Sequence, residues 1–245
     1  MKLHIYFFTT LLLFGLIACN EEVEDVDSST FGYEYYPVSQ GAERIFTSDS
    51  IIVRLGGPRR DTLRSYIKEV IGDSYIDAEG KEVKRVFRFW KRNLDHDWTP
   101  INTWTMFNDS NYVIRNEENI SLLSLVFPLK LGTQWNPTVF IDPSLQVDAG
   151  GDIMKLYEGW EAEVVSDDAT FDLNGTLYPM LEISMANSET VIDIRKVEDF
   201  YVKNIGLVKR NMIMYDCNGN NLQSPWSIKA NQGFEHILTL ISYQP

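Results

Sequence analysis

Apolar and polar side chains alternate at period two through much of this chain. Trp160, Ala162 and Val164 alternate with Glu161, Glu163 and Val165, and Leu181, Ile183 and Met185 alternate with Glu182 and Ser184. Ile237, Thr239, Ile241 and Tyr243 alternate with Leu238, Leu240 and Ser242, while Arg85, Phe87 and Phe89 sit opposite Val86, Arg88 and Trp90. Successive side chains of a strand point to opposite faces, whereas a helix would repeat its apolar positions every three to four residues. Helical spacing is nearly absent. The pattern predicts a mainly β fold, with antiparallel hairpins forming a sandwich or open barrel.

Turn chemistry divides the strands. Asp77-Ala78-Glu79-Gly80, Asp172-Leu173-Asn174-Gly175 and Asp216-Cys217-Asn218-Gly219 share the form Asp-x-[Glu/Asn]-Gly. Asp hydrogen-bonds its own turn backbone and Gly accepts the positive φ of a G1 bulge, so three β-hairpins are expected. Two of them extend into a longer internal similarity. Tyr36-Pro37-Val38-Ser39-Gln40-Gly41 precedes the first as Phe127-Pro128-Leu129-Lys130-Leu131-Gly132 precedes the second, with order and spacing roughly kept. Within a body of 31–245, this suggests two related β units, 31–115 and 120–215, and a closing segment 220–245.

The N-terminus has a different character. Lys2 is followed by an apolar run from Ile5 to Ile17, too short for a bilayer, which needs about 20 residues, and suited to a signal-peptide core. Leu16-Ile17-Ala18-Cys19 resembles the lipobox of bacterial lipoproteins. The resemblance implies diacylglycerol on the Cys19 sulfur and cleavage after Ala18, making 1–18 a signal peptide and 19–30 a lipidated Cys with an acidic tether. In that tether Glu21, Glu22, Glu24, Asp25 and Asp27 resemble the surface-export signal of Bacteroidota lipoproteins. The implied location is the outer membrane, lipid-anchored, with the cell surface favoured over the periplasmic face.

A second resemblance covers most of the mature chain. Asp49-Ser50-Ile51, the Glu69-to-Gly80 hairpin, Phe127-Pro128-Leu129-Lys130-Leu131-Gly132 with Trp135, and Ile205-Gly206-Leu207-Val208-Lys209-Arg210 are similar to a family of Bacteroidota lipoproteins with no established activity. It implies one secreted β-rich domain on a lipid anchor and supplies no catalytic residues.

Charge narrows the partners. The net charge is −13, and removing 1–18 takes away only the Lys2 charge. Such a chain lacks the basic footprint of a nucleic-acid binder and is not drawn to anionic head groups by charge. Cys19 and Cys217 are its only cysteines. With Cys19 acylated, Cys217 has no intrachain partner, is expected to be buried or shielded by its turn, and no zinc site of clustered Cys and His is available.

Several groups invite chemistry. Asp73, Asp77 and Glu79, and the matching Asp168, Asp172 and Asn174, offer oxygens for calcium, but only about three per loop against the six to eight calcium takes. Hairpin turns explain the same residues. Asp95-His96-Asp97 reads as a solvated loop, and His236 as a strand-edge residue at a strand start. Glycine pairs at Gly56-Gly57 and Gly150-Gly151 lack the spacing of a phosphate cradle, and no Gly-x-Ser-x-Gly occurs. Carboxylates are too many for sequence to select a glycosidase pair. Trp98 and Trp104 flank the polar loop and form a candidate platform for sugar or protein. No catalytic residue, metal ligand or cofactor other than the Cys19 lipid is assigned. The leading expectation is a non-enzymatic lipoprotein that binds or scaffolds a glycan or envelope protein. The alternatives are a surface glycan-binding or glycan-hydrolysing subunit and a periplasmic assembly factor for outer-membrane proteins.

Overall fold

The computed structural model describes residues 30–54, 60–149 and 152–245. Cys19, the lipobox, the acidic tether and both glycine pairs include residues outside that range. One six-strand run comprises β1 (Glu43–Val53), β2 (Arg60–Ile76), β3 (Glu82–Lys91), β4 (Thr99–Asn108), β5 (Tyr112–Glu117) and β6 (Ile120–Val126). The chain continues through β7 (Gln134–Trp135), a separate ribbon of β8 (Val147–Asp148) and β9 (Ile153–Met154), then β10 (Ala162–Leu173), β11 (Thr176–Glu189), β12 (Asp193–Val202), β13 (Gly206–Asp216) and β14 (Gln232–Gln244).

Twelve strands form one antiparallel sheet in the order β6-β5-β4-β3-β2-β1-β14-β13-β12-β11-β10-β7. Each run is a meander, and β1 joins them by pairing along its length with β14, from Glu43 opposite Gln244 to Val53 opposite Gly233. The two outer edges then meet. The Leu123 amide on β6 donates to the Pro137 carbonyl just past β7 at 2.9 Å. The Trp135 indole donates to the Leu123 carbonyl at 2.8 Å. The sheet is therefore nearly closed into a barrel, which satisfies the mainly β, open-barrel reading, with β7 covering the β10 edge at Ala162 and Glu163.

Two of the expected hairpins form where the Asp-x-[Glu/Asn]-Gly turns predicted. Gly80, at φ 80°, completes the β2–β3 turn. Asn174 and Gly175, at φ 56° and 86°, make a two-residue loop between Leu173 and Thr176. That geometry is a type I′ turn, not the G1 bulge expected there. The third site departs further. β13 does pair with β14, but residues 217–231 intervene and include a helical turn at Trp226–Lys229. The Cys217 amide turns away to the Ile192 carbonyl at 2.7 Å, which diverts the chain from a tight reversal.

The strand runs end at Val126 and Gln244, so β6 belongs with the first and β14 with the second. Units bounded at 115 and 215 would cut across these pairings. The two runs nevertheless open alike. Gly41 donates to Ile71 and receives β2 back through the Ile71 amide on Ala42; Gly132 donates to Val164, whose amide returns to Thr133. Gly41 and Gly132 share positive φ, at 90° and 80°.

Residues 31–42 close the end at which β1 begins. They include a 3₁₀ turn, Tyr33–Tyr35. The Phe31 carbonyl accepts from Leu129 at 2.9 Å, and the Tyr33 ring meets Phe127 edge-on with centroids 4.7 Å apart. Arg44 reaches the Ile205 and Pro37 carbonyls at 2.8 and 3.1 Å.

The interior joins the two runs. Val113, Leu122 and Leu125 of the first pack with Val164, Ile183, Met185 and Tyr201 of the second in one buried cluster. Beside it lies a set of buried charges. Arg210 on β13 forks onto both oxygens of Asp199 on β12 at 2.6 Å, and Asp199 is fully buried. Arg210 also faces Glu117 on β5 at 3.4 Å, which Arg115 shares at 2.5 Å. Arg88 pairs with Glu69 at 3.0 Å and lies 3.5 Å over the Trp104 ring. Burial alone would push the Glu117 carboxyl up, but the Arg115, Arg210 and Arg88 charges outweigh it and hold Glu117 below the usual range. Burial likewise opposes the Arg210 cation, and Asp199 with Glu117 more than compensates.

His236 lies within β14, flanked by β1 and β13, rather than at a strand edge. Its Nε2 is 2.9 Å from the Ser48 hydroxyl. Burial first, then the Arg210 and Arg88 charges, pushes the imidazole down to about 4.

Two outcomes follow from this interior. Arg210→Leu is expected to cost roughly 3–5 kcal/mol by stranding the fully buried Asp199, whereas Arg210→Leu with Asp199→Leu should recover part of that loss in urea unfolding. His236 is held neutral in the folded chain while the unfolded chain takes up a proton near pH 6.5. Its contribution is thus complete above that pH and fades as pH falls towards about 4, by an amount of roughly 3 kcal/mol. His236→Gln should flatten stability against pH across that window, and an unchanged slope would remove this assignment.

Candidate functional site

The shortness of β7 leaves a large cleft beside β10. Gln134 and Trp135 pair with Glu163 and Ala162, after which the chain leaves the sheet as the long segment 136–161. Local hydrogen bonds shape that segment. Asn136 Oδ1 accepts the Thr138 amide at 2.9 Å and its hydroxyl at 3.0 Å. Asp142 Oδ1 accepts the Ser144 hydroxyl and amide at 2.7 and 2.8 Å, and these bonds hold its carboxyl below the usual range. Such side-chain-to-backbone turns order a loop without a strand partner.

Between this segment and the outer part of β10 and β11 lies a groove of about 880 Å³, within the size range of ligand sites. Trp135, Tyr157 and Trp160 supply its aromatic surface. Two of the rings are fixed by their own hydrogen bonds: Trp135 to Leu123, and Trp160 to the Leu156 carbonyl at 2.7 Å. Tyr157 lies against Trp160, with centroids 5.5 Å apart. Burial, reinforced by the Glu117 charge, pushes the Tyr157 phenol up to about 12, so it keeps its proton at any physiological pH.

The polar surface comes from Gln134, Asn136, Asn187 and the carboxylates of Glu161 and Glu163. Gln134 donates to Glu163 at 3.0 Å. No lysine, arginine or histidine is among the described residues that line the groove. Residues 31–42 lie against the turn that leads into it, where the Leu129 amide donates to the Phe31 carbonyl at 2.9 Å.

The structure does not bring Trp98 and Trp104 into a platform. Trp104 is buried and sits under Arg88, with the Arg115 guanidinium 5.5 Å from its ring. Its indole nitrogen finds no hydrogen-bond partner among the described residues. Trp98 is partly buried beneath the Lys91 and Lys68 ammonium groups, 4.5 and 5.2 Å from its ring centre. Lys91 also donates to the Leu94 carbonyl at 2.9 Å, so this cluster pins the β3–β4 loop.

The acidic turns use their carboxylates internally. Asp77 Oδ1 accepts the Glu79 and Lys81 amides, both at 2.9 Å, while Asp172 Oδ1 accepts from Gly175 at 2.7 Å. Asp73 pairs with Arg85, and Asp168 accepts the Ser166 hydroxyl. Asp95, His96 and Asp97 are exposed. No group of three or more His, Cys, Asp or Glu placed to hold a metal occurs among the described residues. Cys217 is buried, with its sulfur 3.3 Å from the Asn220 carbonyl.

The groove was not predicted from the sequence. One signal was present: Glu161 and Glu163 share the polar side of a strand whose other side is Trp160, Ala162 and Val164.

No protein-family model matches the chain, and no curated protein matches it. Two solved structures are distantly similar. A protein of Bacteroides fragilis described as exported, with a YmcC-like fold, is 12% identical, with 86% of this chain and 98% of that chain covered at a TM-score of 0.38. A protein of Parabacteroides distasonis described as a lipoprotein is 10% identical, with 88% and 99% covered at a TM-score of 0.40.

Because Trp135 both lines the groove and latches the seam, Trp135→Phe should loosen the seam while keeping the ring. Hydrogen–deuterium exchange is expected to rise in 120–126 and 134–143 and to stay level in β12 and β13. Uniform exchange across the barrel would contradict a local latch.

Proposed function

We propose that this chain is a lipoprotein of the outer membrane, held by acyl chains on Cys19, that binds a ligand in the β7–β10 groove without transforming it. The anchor reading is supported by Leu16-Ile17-Ala18-Cys19 after the apolar run. Each buried CH₂ of an acyl chain contributes about 0.8 kcal/mol, so several chains together hold firmly. The acidic residues Glu21, Glu22, Glu24, Asp25 and Asp27 support display at the cell surface. Fully extended, a tether over 19–30 reaches no more than roughly 40 Å.

The observation that carries the binding role is the size and lining of the groove. At about 880 Å³ it combines the aromatic rings of Trp135, Tyr157 and Trp160 with a few polar side chains, as ligand sites do.

Binding is favoured over hydrolysis by the arrangement of carboxylates. Glu161 and Glu163 stand side by side on one wall, separated by the inward Ala162. Glycoside hydrolysis needs two carboxyl groups that flank the bond being broken.

Cys19→Ala is expected to remove the acyl mass from the mature N-terminus and move the protein from the detergent-rich to the aqueous phase. Unchanged partitioning would refute the anchor.

A further inference from the structure

We infer that the groove takes a neutral oligosaccharide segment, an inference that rests on the reading of the groove as a binding surface.

Charge gives the first constraint. The described lining carries the carboxylates of Glu161 and Glu163 with no cation to offset them, on a chain of net charge −13. A phosphate, a sulfated or uronic sugar, or a nucleic acid would enter against like charge in a partly desolvated cleft. The ligand is therefore neutral or cationic.

Hydrogen-bonding capacity gives the second. The primary amides of Gln134, Asn136 and Asn187 line the groove; Gln134 spends a donor on Glu163 and Asn136 spends its oxygen on Thr138, which leaves the Gln134 carbonyl, the Asn136 NH₂ and the Asn187 amide as mixed acceptors and donors. A sugar hydroxyl is also donor and acceptor at once, and a ring of them matches such a mixed lining. The two carboxylates add acceptors for pairs of neighbouring hydroxyls. A peptide cation would use the carboxylates and leave the amides without a matched pattern.

The third constraint is the aromatic surface. Trp135 is half-buried and its ring is fixed by the bond to Leu123, so a face is held ready at little entropic cost. Pyranose rings present flat C–H faces that pack on such surfaces, with the polar groups left to the rim.

The sheet edge argues against an extended peptide. A peptide that binds by adding a strand needs unpaired backbone groups. In the groove the β10 edge is already taken by β7, at Ala162 with Trp135 and Glu163 with Gln134. The groove also opens to solvent along one side, which suits an internal stretch of a polymer.

The test is calorimetric titration of the full lipidated protein in polyoxyethylene micelles. Separate titrants are the linear hexasaccharides of glucose, mannose, xylose and N-acetylglucosamine, then polygalacturonate and hexalysine. At least one neutral hexasaccharide is expected to bind, with little dependence on salt, while polygalacturonate does not. Asn187→Ala should weaken that binding by about tenfold, or ~1.4 kcal/mol, with the unfolding midpoint unchanged. Bound sugar should also slow hydrogen exchange in 134–143. If hexalysine alone binds and Asn187→Ala abolishes it, the groove is a binding surface and the glycan assignment is wrong. If no titrant binds, the glycan assignment and the binding role of the groove fall together. The Cys19 anchor is judged separately by partitioning.

Discussion

A buried guanidinium shared by two carboxylates from distant parts of the chain holds this barrel in one arrangement. Arg210 and Asp199 are neighbours on β13 and β12, but Glu117 comes from β5 in the other run, and the three meet in the interior. Apolar contacts between the runs are non-directional and would tolerate sliding. An ion pair buried this deeply does not, because a displaced carboxylate would lose its partner in a medium that solvates it poorly. The geometry of the groove inherits that constraint. Ala162, in the groove wall, packs in the same apolar cluster as Tyr201, whose hydroxyl lies 3.4 Å from Asp199.

The same interior explains where the sequence was readable and where it was not. Period-two alternation locates strands correctly, since every alternating run quoted above lies in or beside one. It does not say which face points in. On β3 the inward positions include Val86 and Arg88, while Phe87 is 36% exposed. An ionic interior reverses the usual assignment of apolar side chains to the core and polar ones to water. Trp104 went astray for a related reason: beside a polar loop it looks available, yet the cation it faces is the buried Arg88.

Local turns were legible because their chemistry is local. Asp77 and Asp172 bond to amides within four residues, so the signal and its consequence lie in one short window. Ring closure is not local. Nothing in the residues around Leu123 announces that its amide will find Pro137 across the gap between β6 and β7. The groove depends on that closure and on a β7 cut to two residues, and so its lining could not be assembled by reading along the chain.

The break in the ring does not fall at the ends of the barrel-forming chain. The first and last strands pair from Glu43 and Gln244 onward, while the weakest junction lies in the middle of the polypeptide, spanned covalently by residues 127–133. Circular permutation would exploit this. A chain opened within residues 127–133, with the old termini spliced and both halves of that turn kept, would retain every ladder of the twelve-stranded sheet. The architecture is thus cyclic in its hydrogen bonding, and its present starting point in the sequence is one of several that would specify it.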